Sequence, residues 1–123
     1  MQSILIVDDE QRFRDVYKAL LSHEGYTIFG VSDVAGARDI LKDGKIDCVL
    51  LDINMPNLQG DVLFDIIQSF HKNIRVIVTS VLPVEEQMSK IPGACDYFDK
   101  SESISLLLAK VNRVMHPEPT EAL

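Results

Sequence analysis

The chain has 123 residues, of which 46% are hydrophobic and 25% charged, and its formal net charge is −7. This length fits one domain with one core, and the acidic balance argues against direct binding of nucleic acid. No apolar run approaches the roughly 18 residues of a membrane span, and the first residues lack the pattern of a signal peptide, so the cytoplasm is the expected location.

Apolar runs typical of strands alternate along the chain with segments of helical periodicity. The predicted strands are, in chain order, residues 4–7, 26–31, 46–51, 75–78 and 95–98. Continuous apolar runs indicate strands covered on both faces, as in parallel sheets. Five strand–helix pairs in strict alternation predict an α/β fold, a doubly wound five-stranded parallel sheet with five helices. The flavodoxin-like strand order 2-1-3-4-5 fits this pattern best.

The five helices are predicted from apolar residues that repeat every three or four positions, and from residues that favour helix ends. The first helix stops at Gly25 and the second at Gly44, while Gly60 precedes the third. The fourth helix is expected to be short, because Pro83 can start it and Pro92 ends it.

Two helices have alternative cap residues at their N-terminal ends. Ser32 or Asp33 can cap the second helix, and Ser101 or Ser103 can cap the last. The last apolar stripe ends near Met115. Residues 1–116 are therefore predicted to form the domain, and residues 117–123 a C-terminal tail or the start of a linker.

Cysteine and histidine residues do not predict a metal site. Cys48 and Cys95 fall in apolar, strand-like segments and are predicted to be reduced thiols buried in the core. The three histidines have no ligand-like spacing with each other or with cysteine, so they are predicted to lie at the surface and zinc is not implied.

Acidic residues stand at the C-terminal ends of two predicted strands. Asp8 and Asp9 close the first strand, and Asp52 closes the third. In the predicted order these strands are neighbours, so the three carboxylates should converge where open α/β sheets bind their ligands. At least one carboxyl pKa should then rise unless a cation is present, and Mg²⁺ suits such an oxygen-rich pocket. By itself, the segment from Asp8 to Glu10 is equally typical of a solvated loop that caps the first helix.

Two later strands also end in polar residues, Thr79 and Lys100, and Tyr97 precedes that lysine by three positions. Together with the acids, this arrangement resembles the receiver domain of bacterial response regulators, the CheY-like family of two-component signalling. The resemblance extends over residues 2–115. It is carried by the joint occurrence of these residues in the right order, each near the end of a strand.

The resemblance implies a role for each acidic residue. Asp52 matches the aspartate that accepts a phosphoryl group, Asp9 the direct metal ligand, and Asp8 the acid that acts largely through water. The backbone carbonyl of Asn54 matches a further metal ligand. The implied cofactor is Mg²⁺, or Mn²⁺ in its place.

The other matching residues are implied to respond to phosphorylation. Thr79 matches the hydroxyl that turns inward to the phosphoryl group, and Lys100 the base that pairs first with the acceptor and then with phosphate. Tyr97 matches the aromatic residue that changes rotamer on activation. The turn at Met55-Pro56 and the later Gly60 match the loop that follows the acceptor.

Two departures from the family pattern concern the later part of the chain. The family usually follows its lysine with a proline in a cis bond, whereas Ser101 follows Lys100 here. A cis bond before a residue other than proline costs about 2.5–4 kcal/mol, so a trans bond is predicted. The fourth helix is also compact and flanked by prolines, so the family's mode of docking partners is not transferred.

The function expected from the resemblance is phosphorylation-dependent signalling. A histidine kinase or phosphotransfer protein would phosphorylate Asp52, and the face formed by helix 4, strand 5 and helix 5 would switch. The chain would not be an enzyme beyond its self-catalysed phosphorylation and dephosphorylation. A downstream output domain or protein, and a homodimer formed on phosphorylation, are the further partners expected.

Two alternatives come from other functional classes. A small phosphohydrolase would also use an aspartyl-phosphate intermediate, but it typically has a second acid two residues beyond the nucleophile, where this chain has Asn54. A degenerate receiver would act only as a binding scaffold. The presence of Asp9, Asp52, Thr79 and Lys100 argues against the second alternative.

Overall fold

The structure is a computed structural model that describes residues 2–54 and 60–117. Within these residues, strands and helices alternate along the chain. The strands are β1 (Ser3–Val7), β2 (Thr27–Val31), β3 (Cys48–Asp52), β4 (Arg75–Ser80) and β5 (Asp96–Asp99). The helices are α1 (Gln11–His23), α2 (Val34–Leu41), α3 (Gly60–Phe70), α4 (Val84–Lys90) and α5 (Ile104–Met115). Each predicted strand and helix is therefore found.

The strands form one parallel sheet in the order β2-β1-β3-β4-β5, which confirms the predicted topology. In the register of the sheet, Val7 pairs with Leu51, and Asp52 pairs with Thr79. Thr79 pairs in turn with Phe98. The C-terminal ends of β1, β3, β4 and β5 therefore lie side by side at one edge of the sheet.

Alternate residues of each central strand pack into two hydrophobic cores, one on each face of the sheet. Leu5 and Val49 face α2, α3 and the α4 region, whereas Ile6 and Leu50 face α1 and α5. These side chains are at most 1% exposed. Because both faces of these strands are buried, their sequences are continuous apolar runs. Each buried leucine or isoleucine stabilises the fold by about 1.5–3 kcal/mol.

The helix ends decide between the alternative caps. The Asp33 side chain accepts a hydrogen bond from the backbone N–H of Gly36 (2.7 Å) at the start of α2. The Ser103 hydroxyl accepts from the N–H of Leu106 (3.4 Å) at the start of α5. The second helix ends at Leu41, before the predicted stop at Gly44.

The prediction that both cysteines lie in the core is wrong for Cys95. This residue is exposed, because β5 begins one residue later, at Asp96, and Cys95 belongs to the turn that leads into this edge strand. Cys48 is buried in β3 as predicted. Burial raises the pKa of the Cys48 thiol to about 12, so its reactive thiolate form is disfavoured.

Three other predictions concern single segments. The Lys100–Ser101 peptide bond is trans, as predicted. In the described part of the chain, the helices are too short or too polar to cross a membrane. The predicted turn at Met55-Pro56 and most of the predicted tail, residues 118–123, lie outside the described residues.

Candidate functional site

Three carboxylates converge at the C-terminal edge of the sheet, where β1 and β3 lie side by side. Side-chain oxygens of Asp8, Asp9 and Asp52 lie within 4.8 Å of one another. Asp8 and Asp52 are buried, whereas Asp9 is exposed. The convergence of these acids, predicted from the strand order, is confirmed.

Local backbone hydrogen bonds orient the two buried carboxylates. Asp8 Oδ1 accepts from the N–H of Glu10 (2.9 Å), and Asp52 Oδ1 accepts from the N–H of Asn54 (2.8 Å). Each bond joins a side chain to the backbone two residues further on, as in an Asx-turn. The guanidinium of Arg14 also donates to the backbone carbonyl of Asp8 (2.6 Å). The second oxygen of each carboxylate is then left to face Lys100.

Lys100 lies between the two buried aspartates. Its Nζ atom is 2.7 Å from Asp8 Oδ2 and 2.9 Å from Asp52 Oδ2. The ammonium group also lies 4.3 Å from the centre of the Phe13 ring, which is the geometry of a cation–π contact. Burial by itself lowers the pKa of Lys100, but the hydrogen bonds and charges of Asp8 and Asp52 outweigh burial, so the pKa is raised overall. Lys100 therefore remains charged and offsets part of the negative charge.

Burial raises the pKa of the Asp52 carboxyl, and the charge of Asp8 adds to this rise. The hydrogen bonds from Asn54 and Lys100 oppose it. Three carboxylates share this pocket with the single ammonium group of Lys100, so its charges do not balance. A divalent cation that prefers carboxylate oxygens, such as Mg²⁺, therefore fits this set of side chains.

Hydrogen bonds between neighbouring strands place Thr79 beside the end of β3 and Lys100 beside the end of β4. The N–H of Ile53 donates to the carbonyl of Thr79 (3.2 Å), and the N–H of Lys100 donates to the carbonyl of Ser80 (2.8 Å). Thr79 is buried next to Asp52 in the register of the sheet. The two residues predicted from later strand ends therefore lie at the same edge as the acids.

Tyr97 lies on the face of β5 that packs against the end of α4. Its hydroxyl donates to the carbonyl of Ile91 (2.5 Å) and accepts from the N–H of Ala94 (3.2 Å). The ring is buried in the core that lies below α4. In this structure Tyr97 points inward, and its change of rotamer stays a prediction.

The start of α3 packs directly against the backbone that carries Asp52. A Cβ atom on Gly60 would lie 3.0 Å from Ile53 Cα and 3.1 Å from the carbonyl oxygen of Asp52. Both distances are tighter than ordinary van der Waals contacts, so a side chain here would push the Asp52–Ile53 backbone by a few tenths of an ångström, and this close approach favours glycine. The match of Gly60 to the family pattern thus has a steric reason.

The roles of Phe13 and Arg14 could not be predicted from the sequence. Phe13 belongs to an apolar helical stripe, which predicts a core position, and Arg14 follows it on α1. Their contacts with Lys100 and with the Asp8 backbone depend on how α1 packs across the sheet, which helical periodicity does not specify.

The comparison with known families agrees with this geometry. The family model described as the response regulator receiver domain matches residues 4–112. The chain therefore belongs to the response regulator receiver domain family, whose members act in two-component signalling under the control of phosphorylation. The predicted family, fold and class of function are confirmed.

Two curated relatives illustrate the range of proteins with this domain. Sporulation initiation phosphotransferase F from Bacillus subtilis is 30% identical over 116 residues, which cover 93% of this chain and 94% of the relative. Response regulator MprA from a Mycobacterium species (strain KMS) is 30% identical over 114 residues, which cover 91% of this chain and 50% of MprA. The chain thus spans about half the length of MprA.

A solved structure shows a similar domain with ligands. The response regulator protein TrrA from Thermotoga maritima, determined in complex with Mg²⁺-BeF, has a TM-score of 0.83 and is 30% identical to this chain. The match covers 93% of this chain and 99% of TrrA.

Proposed function

We propose that Asp52 accepts a phosphoryl group from a histidine kinase or a phosphotransfer protein. The observation that carries this proposal is the position of Asp52, a buried carboxylate at the end of β3 with Lys100 Nζ at 2.9 Å. Two further carboxylates lie within 4.8 Å. The Mg²⁺-BeF complex of the similar TrrA supports a site for a cation and a phosphoryl-like group at this edge.

Asp9 and Asp52, with the carbonyl of Asn54, would hold Mg²⁺ or Mn²⁺ directly. The resemblance to receiver domains implies that Asp8 would reach the cation through water, with its Oδ2 still paired with Lys100. When bound, the cation supplies positive charge against the carboxylates and the incoming phosphoryl oxygens.

The chain's own residues perform the transfer. A carboxylate oxygen of Asp52 attacks phosphorus, a new O–P bond forms, and the bond from phosphorus to the donor breaks with its electron pair leaving on the donor. Lys100, already at hydrogen-bond distance from Asp52, then pairs with a phosphoryl oxygen. The Thr79 hydroxyl on the neighbouring strand donates to another. Water later hydrolyses the aspartyl phosphate.

The transfer serves regulation, not metabolic turnover. A phosphoryl group adds a charge of roughly −2 at the sheet edge, and Thr79 and Tyr97 relay its presence to the face of α4, β5 and α5. An output domain or protein, or a second copy of the domain, would read that face. A cytoplasmic location belongs to the same proposal, because the phosphodonor acts there.

The test of the proposal is covalent labelling of the wild-type protein. With Mg²⁺ and a small acyl phosphate, intact-mass measurement should show the addition of one phosphoryl group, which hydroxylamine removes because an acyl phosphate reacts with it. Chelation of the cation should prevent the labelling. Absence of any label would favour the scaffold alternative, and repeated turnover of a phosphomonoester would favour the hydrolase.

The lifetime of the label should depend on Val81. This residue lies two positions beyond Thr79 and is 55% exposed, so it does not pack beneath α4. An apolar side chain there cannot orient a water for hydrolysis, although Asn54 can hydrogen-bond one. Val81→Gln should therefore lose its phosphoryl group about five times faster than wild type, because a polar side chain can position that water.

The decay is followed by intact mass after removal of the donor. Val62→Gln is the matched control, since Val62 is an exposed valine on α3. Equal decay in Val81→Gln and wild type would show that Val81 does not slow hydrolysis.

A further inference from the structure

Gln87 is a buried polar residue at the centre of α4. It is the buried residue of this helix, and none of its surface is exposed. Its side-chain Nε2 donates two hydrogen bonds, to the carbonyl of Leu82 (2.8 Å) and to the carbonyl of Phe98 (3.0 Å). Because both partners are acceptors, the atom that contacts them must be the amide nitrogen and not the oxygen.

The carboxamide oxygen of Gln87 does not contribute in the way that its nitrogen does. Its Oε1 atom is buried and finds no hydrogen-bond partner among residues 2–54 and 60–117. A buried polar atom without a partner destabilises a fold. The contribution of Gln87 is therefore specific to the two bonds that its nitrogen donates.

The two carbonyl groups that accept these hydrogen bonds belong to the chain segments that carry Thr79 and Lys100. Leu82 follows the end of β4, and its N–H donates to the hydroxyl of Ser80 (3.1 Å), the residue next to Thr79. Phe98 lies in β5, two residues before Lys100. One side chain thus connects α4 to both the Thr79 segment and the Lys100 segment.

Among the described residues, few other groups hold α4 in place. The helix has seven residues, and Gln87 is the one that is fully buried, while Val84 and Ile91 pack against the core at its two ends. Tyr97 binds the carbonyl of Ile91 after the last turn. The position of α4 therefore depends strongly on the bonds made by Gln87.

We infer that Gln87 is a positioning residue that transmits movement of the Thr79 and Lys100 segments to α4. The inference rests on the proposed function of Asp52 and deepens it. When a phosphoryl group draws Thr79 and Lys100 toward itself, the carbonyls of Leu82 and Phe98 move with their segments. The carboxamide of Gln87 follows them and carries α4 along.

The experiment compares wild type with Gln87→Met, which has a similar length and cannot donate these bonds. Backbone amide chemical shifts of residues 84–90 are measured before and after addition of Mg²⁺ and beryllofluoride, a phosphoryl analogue. The change in these shifts should be about threefold smaller in Gln87→Met, a reduction typical of substitutions that lie between coupled sites. A purely structural role would lower the melting temperature and leave the shift change as in wild type, which would overturn the inference.

Gln68→Met is the matched control. Gln68 is exposed on α3, and its amide donates only a long bond of 3.5 Å to the carbonyl of Gly93. This variant should respond to beryllofluoride as wild type does. An equal loss of response in Gln68→Met and Gln87→Met would overturn the specific role of Gln87.

A measurement on the wild type alone decides the matter if Gln87→Met does not fold. The side-chain NH₂ signals of Gln87 should exchange slowly with solvent and shift when beryllofluoride binds. Unchanged signals, together with shifts at Thr79, would overturn the inference. A wild-type protein that shows no response at any residue and accepts no label would instead contradict the proposed function of Asp52.

Discussion

Replacement of Asp52 by asparagine should lower the phosphoryl label by a factor of about a hundred or more. Asparagine has nearly the same shape, but its neutral amide lacks the carboxylate oxygen that attacks phosphorus. The fold should survive the change, because Lys100 keeps its ion pair with Asp8 at 2.7 Å. The label is measured by intact mass after exposure to Mg²⁺ and an acyl phosphate.

The matched control for this substitution is Asp61→Asn. Asp61 lies in the first turn of α3 and is exposed, so this variant loses the same charge outside the pocket. It should accept the label as wild type does. Equal labelling of Asp52→Asn and wild type would show that another residue is the acceptor.

Replacement of Asp9 by alanine should weaken Mg²⁺ binding about tenfold, whereas Lys100→Ala should bind Mg²⁺ as tightly as wild type or more tightly. The reason is the sign of the charge that is removed. Asp9 attracts the cation, and the ammonium of Lys100, which contacts both Asp8 and Asp52, repels it. Lys100→Ala should also uncouple phosphorylation from the structural response, because it lacks the ammonium group that pairs with a phosphoryl oxygen.

Titration with Mg²⁺, followed by calorimetry, measures both affinities. Asp39→Ala is the matched control for Asp9→Ala, since Asp39 is an exposed acid on α2 that pairs with Lys42. It should leave the affinity within error of wild type. A large loss of Mg²⁺ affinity in Lys100→Ala would contradict the proposed arrangement of charges.

The fold could be predicted from the sequence because its signals are local and repeated. Runs such as residues 4–7 are apolar throughout, which is typical of strands with helices on both faces, and proline and glycine mark the ends of helices. The prediction failed where a boundary moved by one residue. Alternation of apolar side chains could not show that Cys95 precedes the edge strand, because its exposure depends on where pairing with β4 begins.

The acidic part of the site was also predictable, because parallel strands bring their C-terminal ends to one edge. Asp8, Asp9 and Asp52 needed only the strand order to be placed together. The bonds of Gln87 were not predictable in the same way. They join α4 to the segment just before it and to β5, the next strand, so they depend on how the helix packs, and an isolated glutamine in a short helix is typical of a surface position.

The four charged groups of the pocket differ in their access to solvent, and this difference determines how dissolved salt acts on the site. The side chains of Asp8, Asp52 and Lys100 are at most 3% exposed, whereas Asp9 is open to solvent. At physiological ionic strength, mobile ions screen exposed charges beyond about 8 Å and act much less on buried pairs. Rising ionic strength should therefore weaken the attraction of Asp9 for a cation while the buried charges keep their pairing. Ionic strength thus acts on this pocket mainly through a single carboxylate.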